Sequence, residues 1–135
     1  MSEITKVRAV IGTDRYKTVI QIDNHILIGD EPTESGGTDL GPDPYEFILA
    51  GLATCTAATL RMYADRKGWD LEQITVELSL QIDKKGAAQT TNILQELHFI
   101  GDLDEIQKAA LLNIAEKCPV HKMLTNPIAI TTKQI

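Results

Sequence analysis

The sequence has few aromatic residues, two cysteines and no apolar run of membrane-spanning length. Its longest apolar run covers residues 47–60 and ends at Arg61, whereas a transmembrane helix needs about 20 such residues. The first residues, MSEITKVRAV, lack an apolar segment followed by small residues, so we expect no signal peptide and a cytoplasmic location. In a reducing compartment, the two cysteines are not expected to form a permanent structural disulfide.

Basic residues are outnumbered by acidic ones, giving a formal net charge of -6 and a pI of about 5.0. This balance argues against nucleic acid and anionic membrane surfaces as partners. The length of 135 residues, 43% of them hydrophobic and 24% charged, is typical of one globular domain. We therefore predict a single domain over residues 1–135.

The pattern along the chain predicts strands, a helix, strands, a second helix and a last strand. Three short strands are predicted within residues 6–29, with a turn at Asp23-Asn24. A polar loop rich in Gly and Pro follows over residues 30–42. The later strands are predicted at residues 73–82, 92–100 and 128–132. This arrangement is typical of an α+β fold.

The strongest local signal predicts a helix from Pro44 to about Lys67. Asp43 is suited to cap it, Glu46 to complete a capping box, and Gly68 to end it. Residues 47–60 offer almost no polar side, and a helix that is apolar all round is expected to be buried all round. One short chain can hardly enclose such a helix, so we expect an oligomer.

A second helix is predicted from a cap at Asp102 to about Lys117. Four residues are expected on its inner face: Leu103, Ile106, Ala110 and Ile114. Pro119 is predicted to begin another short turn.

The two cysteines are the main candidates for chemistry. Cys55 lies in the middle of the apolar helix, either as a small packing residue or as a reactive thiol. Cys118 precedes Pro119 and is expected at a helix N-cap, where the helix dipole, Lys117 and His121 would favour a thiolate; the alternative is a plain capping residue. A sulfenic acid formed on one thiol condenses with a second nearby thiol, which requires folding to bring the two together.

Cys118 and His121 also form a Cys-x-x-His pair, which is half of a zinc site. A structural site needs four ligands, and the other cysteine and histidines are scattered along the chain. We therefore expect neither a metal nor any other cofactor.

The segments around both cysteines resemble one protein family. Residues 41–69, GPDPYEFILAGLATCTAATLRMYADRKGW, resemble the central helix of OsmC/Ohr proteins, in which an Asn/Asp-Pro start leads through small residues to a cysteine. The later KCPVHKML resembles the Cys-Pro motif of that family, and residues 25–42 are similar to one OsmC-like subgroup. The resemblance covers nearly the whole chain. It implies antiparallel sheets wrapped around central helices in an intertwined homodimer.

The same resemblance implies roles for particular residues. Cys55 matches the cysteine that attacks the peroxide, and Cys118 matches the resolving cysteine. The family also uses an Arg from the N-terminal region, for which Arg15 and Arg8 are the candidates. Such a cation is needed because burial in mid-helix raises the pKa of a thiol.

Glu46 departs from the family pattern. A catalytic Glu lies ten residues before the first cysteine in the hydroperoxide-resistance branch, and Tyr45 occupies that place here. Glu46 is therefore either a displaced catalytic residue or the second half of the capping box.

These observations predict a thiol-dependent peroxidase that reduces organic hydroperoxides. Its expected partners are a second copy of the chain, a small hydroperoxide and a dithiol reductant such as a lipoyl protein. The alternatives are a module that binds a small apolar or thiol ligand without turnover, and a redox sensor whose partner contact depends on the disulfide.

Overall fold

The computed structural model describes residues 4–135, in which antiparallel strands and helices form an α+β fold. The chain divides into two compact units, Met1–Ile48 and Leu49–Ile135. The single domain over residues 1–135 stays a prediction.

Three short strands form an antiparallel sheet in the first unit, in the order β1-β2-β3. They are β1 (Arg8–Ile11), β2 (Thr18–Ile22) and β3 (His25–Gly29). Ile22 pairs with His25, which leaves Asp23-Asn24 as a two-residue turn. Asp23 has a φ of 52°, a left-handed conformation that aspartate tolerates in such turns. The predicted strands and turn are confirmed.

The loop over residues 30–42 folds around the carboxylate of Asp30, which is 3% exposed. This carboxylate accepts hydrogen bonds from the backbone N–H of Glu31 (2.8 Å), Thr38 (3.4 Å) and Leu40 (3.1 Å), and from the Thr38 hydroxyl (2.6 Å). A Cβ at Gly37 would overlap the carbonyl of Glu31, so only glycine lets the loop close this tightly. The loop is therefore held in one conformation by its own side chain.

Helix α1 (Pro44–Lys67) has the predicted bounds. The Asp43 carboxylate accepts from the N–H of Glu46, and the Glu46 carboxylate accepts from the N–H of Asp43, both at 2.9 Å. Gly68, with a φ of 71°, ends the helix. The capping-box interpretation of Glu46 is confirmed.

Four residues of α1 spaced four apart are buried: Leu52, Thr56, Leu60 and Ala64. Elsewhere the helix is open, with Tyr45 53% and Met62 69% exposed. The predicted burial of α1 on all sides is therefore wrong for a single chain. One chain buries only the face of the helix that carries these four residues. By length and composition alone, α1 is long and apolar enough to cross a membrane, a property that it shares with core helices of soluble proteins.

A long antiparallel hairpin, β4 (Asp70–Lys85) and β5 (Ala88–Asp102), follows α1. Both strands are longer than predicted because cross-strand hydrogen bonds extend the ladder beyond the alternating residues. On β4 the residues at 74, 76, 78, 80 and 82 are partly buried, while their neighbours at 77, 79 and 81 are exposed. The predicted alternation of this strand is confirmed.

Helix α2 (Glu105–Ala115) begins later than predicted. Asp104 is the N-cap, and it forms a capping box with Gln107, whereas Asp102 is the last residue of β5. The predicted cap at Asp102 is therefore wrong, because Asp102 still pairs with Asp70 in the β4–β5 ladder and cannot begin the helix. Ile106 is 82% exposed, and the fully buried residues of α2 are Leu111 and Ala115.

The core of the second unit lies between α1, α2 and the start of β4. Its buried residues are Leu60, Ala64, Leu71, Leu111 and Ala115. Arg61 extends from α1 to donate a 2.6 Å hydrogen bond to the Leu71 carbonyl. Helix α3 (Pro119–Leu124) follows α2 after a short corner.

The predicted last strand over residues 128–132 is wrong in this single chain. These residues form no strand in the described part of the chain, and Ile130 is 85% exposed. An extended segment becomes a strand only through hydrogen bonds to a neighbour. The described strands of this chain do not provide that neighbour.

Candidate functional site

Cys55 and Cys118, which are 63 positions apart in the sequence, lie close enough for each to shift the pKa of the other. Cys55 lies in α1 and is partly exposed, while Cys118 lies just before α3 and is fully buried. Both are free thiols. The fold therefore provides the pairing of two distant thiols that sulfenic acid condensation requires.

The start of α3 directs backbone donors at this pair. Cys118 is the N-cap, with Pro119 in the first turn, and its Sγ accepts a hydrogen bond from the N–H of His121 at 3.4 Å. The N–H of Val120 reaches the sulfurs of both cysteines. The predicted N-cap position of Cys118 is confirmed.

The two thiols have opposite pKa shifts. Burial raises the pKa of Cys55, and the adjacent Cys118 raises it further. Burial also acts to raise the pKa of Cys118, but the Cys55 thiol and the N–H groups of His121 and Val120 outweigh it, so the pKa is lowered. These opposite shifts favour Cys118 over Cys55 as the thiolate when the pair carries one negative charge.

A hydroxyl and an amide complete the surroundings of Cys118. Thr56, which is fully buried, donates a 2.9 Å hydrogen bond to Oε1 of Gln95 on β5 and also reaches the sulfur of Cys118. Sequence reasoning did not identify either residue. Both had a visible signal: Thr56 is a polar residue in the stripe of Leu52 and Leu60, and Gln95 is a polar residue on the inner face of β5.

The other predicted site residues belong to the first unit. Arg8 lies in β1, and Arg15 lies in the exposed segment between β1 and β2. Glu46 is engaged in the capping box with Asp43. Catalytic roles for Arg15, Arg8 and Glu46 stay predictions.

Among residues 4–135, no group of three or more His, Cys, Asp or Glu side chains is placed to hold a metal ion. His121 contributes its backbone N–H to Cys118.

Each unit contains a cavity of its own. The first unit has a largely apolar cavity of about 440 Å³, with Tyr16, Ile20, Leu27 and Phe47 among its walls. The second unit has a mixed polar and apolar cavity of about 350 Å³. Gln95 and His121, which surround the thiol pair, both line this second cavity.

Residues 36–133 match the model of a family described as OsmC-like protein. No curated protein matches the chain.

Solved structures share the fold at low sequence identity. An OsmC-like protein from Mycoplasma pneumoniae is 19% identical with a TM-score of 0.80, over 92% of this chain and 89% of that one. An organic hydroperoxide resistance protein OsmC from Legionella pneumophila is 21% identical with a TM-score of 0.70, over 91% and 90%. The organic hydroperoxide resistance protein OhrB of Bacillus subtilis is 24% identical with a TM-score of 0.65, over 91% of each chain.

Proposed function

The chain belongs to the OsmC-like family, and from this premise we propose that it reduces organic hydroperoxides through Cys55 and Cys118. The observation that carries the proposal is the proximity of these two free thiols, each of which shifts the pKa of the other. Two proteins of similar fold are named for organic hydroperoxide resistance, which supports the same class of substrate.

The first step uses the charge held on Cys118. The Cys118 thiolate takes the proton of Cys55 across their hydrogen bond, and the Cys55 sulfur attacks the outer oxygen of the peroxide. The O–O bond breaks, an alkoxide leaves and takes up a proton from solvent to become the alcohol, and Cys55 becomes a sulfenic acid. The sulfur is oxidised by two electrons, and the peroxide is reduced by two.

The second step closes a disulfide. The sulfur of Cys118 attacks the sulfenic sulfur of Cys55, and hydroxide leaves with the Cys118 proton as water. A dithiol such as a protein-bound lipoyl group then reduces the disulfide. A cation would hold the thiolate of Cys55 during attack, because burial alone disfavours that anion.

Peroxide titration followed by mass spectrometry tests this function. We expect tert-butyl hydroperoxide to produce a disulfide between residues 55 and 118, while tert-butanol leaves both thiols free. Cys118→Ser should accumulate sulfenic acid on Cys55, and Cys55→Ser should consume no peroxide. A parent protein that keeps both thiols free under excess hydroperoxide would falsify the proposal.

The apolar cavity of the first unit favours a second candidate function, the binding of a small apolar ligand without turnover. Under this candidate an apolar ligand raises the melting temperature while no peroxide is consumed. Phe47→Ala should abolish the rise, and Tyr45→Ala, at an exposed position of α1, should preserve it. Failure of apolar ligands to shift the parent's melting temperature would count against this function.

We further propose that the chain acts as a cytoplasmic homodimer. Exposed apolar side chains on α1, including Tyr45, Ile48 and Met62, support a partner surface. A sedimentation mass equal to one chain would contradict the dimer.

A further inference from the structure

The hydroxyl of Thr56 lies between two acceptors. It is fully buried in α1, donates to Oε1 of Gln95 at 2.9 Å, and lies near enough to the sulfur of Cys118 to lower the pKa of that thiol. A threonine hydroxyl has one proton to donate and can accept at its lone pairs. It can therefore donate to the amide oxygen or to the sulfur, but not to both.

The charge on Cys118 decides between these two arrangements. A neutral Cys118 is a weak acceptor, so the Thr56 proton stays on Gln95 as the structure has it. A thiolate is a much stronger acceptor, since hydrogen bonds to ionised groups are about twice as strong as neutral ones. The hydroxyl then turns to the sulfur, and the Gln95 amide can rotate to present its NH₂ group to the Thr56 oxygen.

We propose that Thr56, held by Gln95, is a positioning residue that turns its hydroxyl proton onto the Cys118 sulfur when that sulfur becomes negatively charged. The switch breaks no covalent bond. Its catalytic role rests on the proposed function, because it would stabilise the Cys118 thiolate that accepts the Cys55 proton in the first step.

Other groups also face the Cys118 sulfur. Cys55 on α1 is the titratable side chain in hydrogen-bonding contact with it, and α3 contributes the N–H groups of Val120 and His121. Gln95 from β5 is neutral. Any measurement on Thr56 must therefore follow Cys118 separately from Cys55.

The test is a site-resolved titration that needs no peroxide. The full chain is labelled with ¹³C at the cysteine Cβ atoms, and each signal is followed against pH by NMR in the reduced protein. We expect Thr56→Val, which keeps the shape of the side chain but removes the donor, to raise the midpoint of Cys118. The thiolate fraction below the midpoint should fall about threefold or more, the effect of one hydrogen bond of ordinary net strength.

Two further variants separate the switch from a general disturbance of the helix. Thr56→Ser keeps the hydroxyl and should restore the parent midpoint. Thr54→Val is the matched control, because the exposed Thr54 hydroxyl bonds only the carbonyls of Ala50 and Gly51 in its own helix. This control should leave the Cys118 midpoint unchanged.

Gln95→Glu tests the other end of the switch. A carboxylate accepts but does not donate, so it should retain the Thr56 proton and add a negative charge near the sulfur. We expect it to raise the Cys118 midpoint further than Thr56→Val does.

An unchanged Cys118 midpoint in Thr56→Val, or a Thr56→Ser variant that titrates like the valine variant, would overturn the inference. These outcomes are independent of the peroxide experiment. A protein that forms the disulfide but titrates normally in Thr56→Val retains its proposed function without the switch, and the reverse result keeps the switch without that function.

Discussion

Asp30 in the first unit and Cys118 in the second are both buried acids, but their hydrogen-bond donors differ in kind. The Asp30 carboxylate accepts four hydrogen bonds from residues of its own loop, and these donors hold its pKa at about 2 against burial. The donors around Cys118 are shared. The Val120 N–H also reaches Cys55, and the Thr56 hydroxyl is bound to Gln95.

This difference separates a structural anion from a reactive one. Donors that bond only the carboxylate keep it charged at all ordinary pH values and fix the loop around it. Donors that have a second acceptor can give up their hydrogen bond to the sulfur when the sulfur gains a proton or forms a covalent bond. The loop thus gains rigidity from its acid, while the thiol pair keeps a charge that can move.

Replacing the structural anion gives the largest expected effect. The Asp30 carboxylate now accepts hydrogen bonds from donors such as the Thr38 hydroxyl and the Leu40 N–H. In Asp30→Asn these donors would face an NH₂ group, which is itself a donor. We expect the melting temperature at pH 7 to fall by roughly 5 °C or more, because these part-buried donors lose their acceptor. Thermal unfolding followed by circular dichroism measures this.

Asp39→Asn is the matched control. Asp39 is exposed and has a φ of 52°, which asparagine adopts readily, so its melting temperature should match the parent. If the Asp30→Asn protein were as stable as this control at pH 7, the hydrogen bonds to the Asp30 carboxylate would not be what stabilises the loop.

The stability that Asp30 supplies should depend on pH. Its pKa is about 2 in the folded protein and 3.8 in its unperturbed state, so between these values the unfolded chain binds more protons. The stabilisation is therefore complete above about pH 4 and is lost as pH falls toward 2. The difference in melting temperature between parent and Asp30→Asn should shrink from pH 7 to pH 3, and a constant difference would exclude this cause.

Much of the fold could be predicted because its signals are local. The capping box at Asp43 and Glu46 and the stop at Gly68 gave the bounds of α1, and alternation gave the face of β4. The start of the second helix was predicted two residues too early because Asp102 and Asp104 are both plausible caps. The choice depends on the pairing of Asp102 with Asp70, which is a long-range contact. The last strand failed because pairing is a long-range property that residues 128–132 do not determine alone.

The candidate site could be predicted only in its cysteines. Local sequence placed Cys118 at an N-cap, but its contact with Cys55 depends on how α1 and α3 pack. Thr56 and Gln95 each carry a signal, as polar residues on buried faces, but the sequence does not show that the two meet in the fold. The direction of charge between the thiols also required the structure, since it depends on which sulfur receives the N–H of His121.

A smaller expected effect concerns the charge on the thiol pair. Cys55 donates its S–H to the Cys118 thiolate, so Cys55→Ala should raise the pKa of Cys118, and Cys55→Ser should preserve a donor and raise it less. In Cys55→Ala, the fraction of Cys118 present as thiolate below the midpoint should fall about tenfold, because the lost hydrogen bond is one to an ionised group. The ¹³C titration of Cys118 measures both variants.

The reciprocal variant fixes the direction of the charge. In Cys118→Ser the adjacent thiolate is absent, so the pKa of Cys55 should fall toward the value that its burial alone sets. If Cys55→Ala instead lowers the pKa of Cys118, Cys55 must hold the resting charge and Cys118 must be its donor. The first proton transfer would then be unnecessary, because Cys55 would already be the nucleophile before peroxide arrives.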